Sequence, residues 1–101
     1  DDQNWCLINR GSPPSVVVGA SGRVEQWVNR EEVERQGLPV YRRFSGGGTV
    51  VVDPNTLFVT FVGRRDFLPC APFPEPVMRW TASIYAEALD LPNFALREND
   101  Y

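Results

Sequence analysis

The sequence predicts an α/β (α+β) domain with a mixed, mainly antiparallel sheet and packed helices. Three observations carry this. Short β-branched and apolar runs recur at 16–18, 49–53 and 56–62, each bounded by glycine, proline or asparagine. Two charged or amphipathic segments, 30–36 and about 76–90, carry helical spacing with start and stop signals. At 101 residues with 43% hydrophobic content, the chain has room for one small globular core.

In order, Asn4–Asn9 reads as a short strand ended by the turn-rich Arg10-Gly11-Ser12-Pro13-Pro14. Val16-Val17-Val18 is a buried-strand candidate that stops at Gly19, and Ala20-Ser21-Gly22-Arg23 is a loop. Asn29 is placed to cap the helix 30–36, with Glu32 as the reciprocal partner of a capping box. Val28 and Val33 fit a hydrophobic staple, while Gly37 and Pro39 end the helix. The charges of this helix read as a wet face. A strand over 40–44 then sets Arg42 and Arg43 on opposite faces, because side chains alternate. Residues 49–53 and 56–62 read as a hairpin across Asp53-Pro54-Asn55-Thr56, with the second strand apolar on both faces and therefore interior. The proline-rich 63–76 is a stiff surface connector. In the helix 76–90, Arg79, Ser83, Glu87 and Asp90 form a polar stripe. A broad apolar arc beside that stripe is expected to be core, and 94–97 begins a further strand.

The net charge of −3 argues against a nucleic-acid surface, and no run approaches the roughly 20 apolar residues of a membrane span. No nucleic acid and no membrane are therefore expected as partners. The N-terminus shows neither a signal peptide nor a basic transit segment, and it lacks an initiator methionine. Cys6 and Cys70 read as free thiols. With no histidine and two distant cysteines, no metal site is expected.

The stretch that asks for a chemical reason is Arg42-Arg43-Phe44-Ser45-Gly46-Gly47-Gly48-Thr49, which runs into Val50-Val51-Val52-Asp53. Three glycines lose much backbone freedom on folding, so a run of them beside two cations points to a ligand loop. Glycines let backbone N–H groups converge on an anion without a Cβ in the way. Arg42 or Arg43 would supply fixed charge, and Ser45 and Thr49 hydroxyls. The alternative is a flexible hairpin tip. A Walker-type phosphate loop is excluded, since the chain has no lysine, and G-x-G-x-x-G is absent.

This loop, followed by Asp53 and Asn55-Thr56-Leu57-Phe58-Val59-Thr60, resembles the lipoate–protein ligase A family of the biotin/lipoate ligase superfamily. Val16-Val17-Val18-Gly19, Asn29 and Arg97-Glu98-Asn99-Asp100 extend the resemblance over nearly the whole chain. It implies a class II synthetase/biotin-ligase-like fold, here 1–101 as the N-terminal half of a catalytic domain that continues past 101. It implies ATP-dependent activation of lipoate or octanoate as an acyl-adenylate, with Mg2+ accompanying ATP. The acyl group then passes to a lysine of an acceptor protein domain. By the same resemblance Arg43, Gly48, Thr49, Val50 and Val51 bind ATP and the adenylate, and Ser45, Gly46 and Gly47 border the lipoate. Arg42, Asp53, Asn99 and Asp100 are further candidates.

The chain departs from the family pattern in three places. Ala20 stands where an arginine usually follows the glycine, and Val52 where many relatives carry histidine. The essential lysine is expected downstream of Tyr101, so no catalytic residue is expected here and the isolated chain is expected to be inactive. Two alternatives are an octanoyl transferase or biotin ligase relative and a non-catalytic ligand-binding remnant. The family implies a mitochondrial or cytoplasmic location.

Overall fold

The computed structural model describes residues 3–98 and 100–101. They form β1 (Trp5–Arg10), β2 (Ser15–Val18), α1 (Val24–Trp27), α2 (Arg30–Gln36), β3 (Val40–Arg42), β4 (Val50–Val52), β5 (Leu57–Val62) and α3 (Pro74–Leu89). A 3₁₀ turn at Arg65–Phe67 interrupts the connector before α3. No described helix is long and apolar enough to cross a membrane. The chain divides into two compact units, Cys6–Thr60 and the flanking chain that includes Phe61–Tyr101.

In the first unit β2 is the central strand of a three-stranded mixed sheet, in the order β3-β2-β4. It runs parallel to β3, with Val16 opposite Val40 and Val18 opposite Arg42. It runs antiparallel to β4, with Val16 opposite Val51 and Val17 opposite Val50. The valine run explains this place. β-Branched side chains fit a pleated surface covered on both sides, and Val16, Val18 and Ser15 are all buried. Val18 is fully enclosed and, with Val16 and Val52, makes up the buried apolar core.

The expected hairpin between 49–53 and 56–62 does not form. β4 joins the sheet of β2, whereas β5 pairs with β1 in a separate two-stranded sheet. The Asp-Pro turn is present, closed by the Thr56 N–H donating to the Asp53 carbonyl at 3.1 Å. However, the Ser12 N–H also donates to the Asp53 carbonyl, and the Gly11 N–H to that of Thr56. Residues 11 and 12 thus occupy the carbonyls flanking the turn and lead the two strands apart. Accordingly β5 is not an interior strand: Leu57 and Val62 are half-exposed.

Helix α2 keeps the limits its caps predict. The Asn29 side chain accepts from the Glu32 N–H at 3.2 Å, and Gly37 takes the left-handed conformation (φ 62). The reciprocal half of the capping box is replaced. The Glu32 carboxylate receives Arg35 and Gln36 instead, and the Arg35 guanidinium first, then Gln36, holds its carboxyl below the ordinary range. Helix α1 was not anticipated: it is a single turn whose first residue has no side-chain cap to announce it.

In the second unit α3 starts two residues before the expected position, with prolines in its first turn. Arg79 of the polar stripe pairs with Glu75 at 2.7 Å. Trp80 packs on Phe61 and Phe67, while Phe94 stacks on the Tyr101 ring and Tyr85 meets it edge-on. The Thr81 hydroxyl bonds the Val77 carbonyl and the Tyr101 hydroxyl. Of the broad apolar arc only Thr81 is fully buried; Leu89 and Leu91 stay exposed. The expected strand beginning at 94–97 does not form: residues 94–96 carry no regular structure, and among the described residues Arg97 pairs only with Asp100. Arg97 and Asp100 exchange both backbone hydrogen bonds, at 2.8 and 2.9 Å, with Glu98 at φ 54.

Asp90 ends α3 in the left-handed conformation at φ 47, where a Cβ is strained. Asp90→Gly is therefore expected to stabilise the chain by about 0.5–1 kcal/mol, measured as a rise in urea midpoint at constant m-value.

Candidate functional site

Two loops meet at one end of the three-stranded sheet: 19–22, leaving β2, and 43–49, joining β3 to β4. Their approach is set by glycine. A Cβ on Gly19 would lie 2.0 Å from the Gly47 carbonyl oxygen, so the two backbones touch at a distance no side chain allows. The Ala20 N–H donates to the Ser45 carbonyl at 2.9 Å and ties the loops a second time. A Cβ on Gly22 would lie 2.5 Å from the Val18 side chain and 2.9 Å from the Trp27 ring.

The two arginines divide between these loops. Strand β3 ends at Arg42, two residues earlier than a strand over 40–44 would require, although the Arg43 N–H still donates to the Val18 carbonyl at 3.0 Å. Alternation sends the two side chains to opposite faces. Arg42 does not pair with an acid. Its Nη1 donates to the carbonyls of Gly19 (3.2 Å), Ala20 (3.1 Å) and Gly22 (2.6 Å). Arg43 folds onto its own loop: Nε and Nη2 reach the Gly46 carbonyl, and Nη2 also reaches that of Gly48, both Nη2 bonds at 2.9 Å. Each guanidinium thus splints one loop through carbonyl oxygens.

Drawing the Gly46 and Gly48 carbonyls onto Arg43 engages the acceptor side of the loop. The backbone N–H groups of 46–49 have no partner among the described residues. Gly47 needs its glycine twice over, at φ 107 and with a Cβ position 2.6 Å from Arg43 Nη2. Gly46 and Gly48 differ: their Cβ positions meet nothing within 4 Å and neither has positive φ. Nothing packed against these two positions requires glycine, and both face open space.

The remaining candidates fall as follows. Ser45 is exposed beside the glycines. In β4, Val50 pairs with Val17 and Val51 with Val16, so consecutive side chains leave on opposite faces. Thr49 and Val51 line a cavity of about 320 Å³ on the helix side with Val16, Trp27, Val33 and Leu38. There the Thr49 hydroxyl oxygen is buried without a partner. Residues 49 and 51 therefore offer a ligand on the glycine side their backbone, not their side chains. Asp53 is occupied in its turn, where Oδ1 accepts from the Asn55 N–H at 2.8 Å. Asp100 lies in the other compact unit, in the Arg97 turn. Asn99 falls outside the described residues. Both cysteines are free, and among the described residues no cluster of three or more His, Cys, Asp or Glu side chains could hold a metal.

Reading the residues alone missed the work of Gly19 and Gly22. The available signal was a glycine ending a run of buried valines, which marks close approach by another backbone.

Comparison with known proteins shows the family and the fold. The family model for the lipoyl protein ligase A/B catalytic domain matches residues 1–95. The chain is 31% identical over 91 residues to lipoate-protein ligase LplJ of Bacillus subtilis, covering 87% of this chain and 28% of that protein. It is 32% identical over 84 residues to lipoate–protein ligase 1 of Staphylococcus aureus, covering 80% of this chain and 25% of that protein. It therefore spans about a quarter of the length of these relatives. A T. acidophilum protein, described as a candidate lipoate protein ligase and solved with bound lipoic acid, superposes with a TM-score of 0.72 at 19% identity. That superposition covers 98% of this chain and 43% of the solved one, and it establishes the shared fold. By the family match over residues 1–95, the chain belongs to the lipoyl protein ligase A/B catalytic domain family.

Proposed function

We propose that these residues are the N-terminal part of a lipoate–protein ligase catalytic domain that continues past Tyr101, and that the glycine loop is its acyl-adenylate cradle. The observation that carries this reading is the open space at Gly46 and Gly48, beside backbone N–H groups without partners. Such amides, with no Cβ in front of them, suit phosphoryl and carboxylate oxygens. Arg43 uses Nε and Nη2 on its own loop, which leaves Nη1 to face an anion. Val50, on the same face as Arg43 by alternation, borders the nucleotide, and Ser45 with Gly46 and Gly47 borders the acyl chain.

The reaction is adenylation followed by acyl transfer. A carboxylate oxygen of lipoate or octanoate attacks the α-phosphorus of ATP, and the bond to pyrophosphate breaks as pyrophosphate leaves. The ε-amine of an acceptor-domain lysine then attacks the acyl carbon, losing a proton as AMP departs. Mg2+ arrives with ATP. Neither step requires a protein nucleophile; the chain contributes position and charge neutralisation at the phosphoryl oxygens. The family resemblance implies a lysine downstream of Tyr101 that holds both carboxylate and phosphate. The 101 residues themselves contain no lysine.

Two assays test this together. Calorimetric titration with a non-hydrolysable lipoyl-adenylate analogue is expected to give saturable binding to the complete protein. Lipoate-dependent ATP–pyrophosphate exchange is expected from the complete protein and not from the 101-residue chain. An analogue that fails to bind the complete protein would remove the adenylate reading. Exchange by the short chain would remove the assignment of the missing cation.

A further inference from the structure

Arg42 makes no hydrogen bond to residues 45–49, yet its bonds bear on where that loop sits. All its intramolecular bonds come from one nitrogen, Nη1, to the carbonyls of Gly19, Ala20 and Gly22. These residues form the wall on which the glycine loop rests. Gly19 abuts the Gly47 carbonyl at a distance that leaves no room for a Cβ, and the Ala20 N–H holds the Ser45 carbonyl. The Gly22 N–H closes the same turn on the Gly19 carbonyl at 3.0 Å. A carbonyl-lined turn left without its cation would keep oxygen dipoles pointing together, which is unfavourable. The turn would then relax, and the glycine loop would lose its backing.

We infer that Arg42 is a positioning residue: it sets the glycine loop at second hand by gathering three carbonyls of the 19–22 turn around a single cationic nitrogen. Because one nitrogen makes all three bonds, the cage suits a point-like donor. A lysine ammonium carries three N–H donors and no fork, so it can fill the cage. Arg43 is the opposite case. It holds Gly46 through Nε and Nη2 together, a planar grip that an ammonium cannot reproduce. The two adjacent arginines therefore differ in their tolerance of lysine. The link to ligand binding rests on the adenylate reading; the link to loop position does not.

The test uses the complete protein, 15N-labelled, with Arg42→Ala, Arg42→Lys and Arg43→Lys. In Arg42→Ala the Ala20 and Gly22 amides are expected to exchange with solvent about tenfold faster or more. The Gly46–Gly48 resonances should move although Arg42 makes no hydrogen bond to them. The Leu38 amide, bonded to Val33 in the same unit, should keep its protection, which separates this effect from general destabilisation. Arg42→Lys should restore both readouts, whereas Arg43→Lys should shift the glycine resonances and leave Ala20 and Gly22 protected. Unmoved glycine resonances in Arg42→Ala overturn the inference. So does a folded Arg42→Lys protein whose Ala20 and Gly22 amides lose protection relative to the wild type, and this comparison with the wild type decides the matter even if Arg42→Ala does not fold. Analogue binding by the complete protein is scored separately. Its absence in the wild type removes the ligand assignment and leaves the resonance result standing.

Discussion

Gly19→Ala is expected to destabilise the chain by about 3 kcal/mol, the upper range for forcing a methyl into filled space, and to disorder the glycine loop. The added carbon would lie 2.0 Å from the Gly47 carbonyl oxygen and 3.0 Å from its carbon. Both are backbone atoms, so no rotamer change relieves the clash. The peptide at Gly47 must move as a unit, and with it the Arg43 bonds to Gly46 and Gly48. Thermal unfolding should show the loss. Loss of dispersion in the Gly46–Gly48 resonances should show that the damage sits in the loop. A variant with wild-type stability would mean that the two backbones do not meet in solution.

Gly46→Ala and Gly48→Ala are expected to separate stability from binding. Neither position has positive φ, and an added methyl meets nothing. Restricting the unfolded chain should therefore raise stability by about 0.4–1 kcal/mol. In the complete protein the same methyl intrudes on the adenylate, at about 2 kcal/mol or roughly thirtyfold weaker analogue binding. Higher melting temperature with weaker binding is the signature of a glycine kept for a ligand. Unchanged binding in both variants would show that the open side of the loop is empty in the complex as well.

Local chemistry told the truth wherever a few consecutive residues decide the outcome. The limits of α2 follow from Asn29 and Gly37, which act on their own turn of chain. The burial of β2 follows from consecutive valines. Opposite faces for Arg42 and Arg43 follow from alternation. What could not be read depends on distant partners. Asp53-Pro54 makes the same turn whether the flanking strands pair with each other or part to β2 and β1, and only Gly11 and Ser12 decide between these. Likewise the sequence shows two cations beside three glycines but not which carbonyls each one collects. That choice arises when β3 lies down beside β2. For 94–97, apolar residues suggested a strand, but a strand exists only with a neighbour, and the chain there turns back on itself through Arg97 and Asp100.

The central place of β2 also bears on the order in which the molecule assembles. Both anchors of the glycine loop, β3 and β4, are held through a strand made much earlier in the chain, with Val16 facing Val40 on one side and Val51 on the other. Two long chain closures must therefore be complete before the loop has a shape, and pairings of such high sequence separation form slowly. Helix α2 can appear on its own within microseconds, being local. The cradle would be the late product of folding, and in a refolding experiment competence to bind should appear in the slowest phase, after most helical signal has returned.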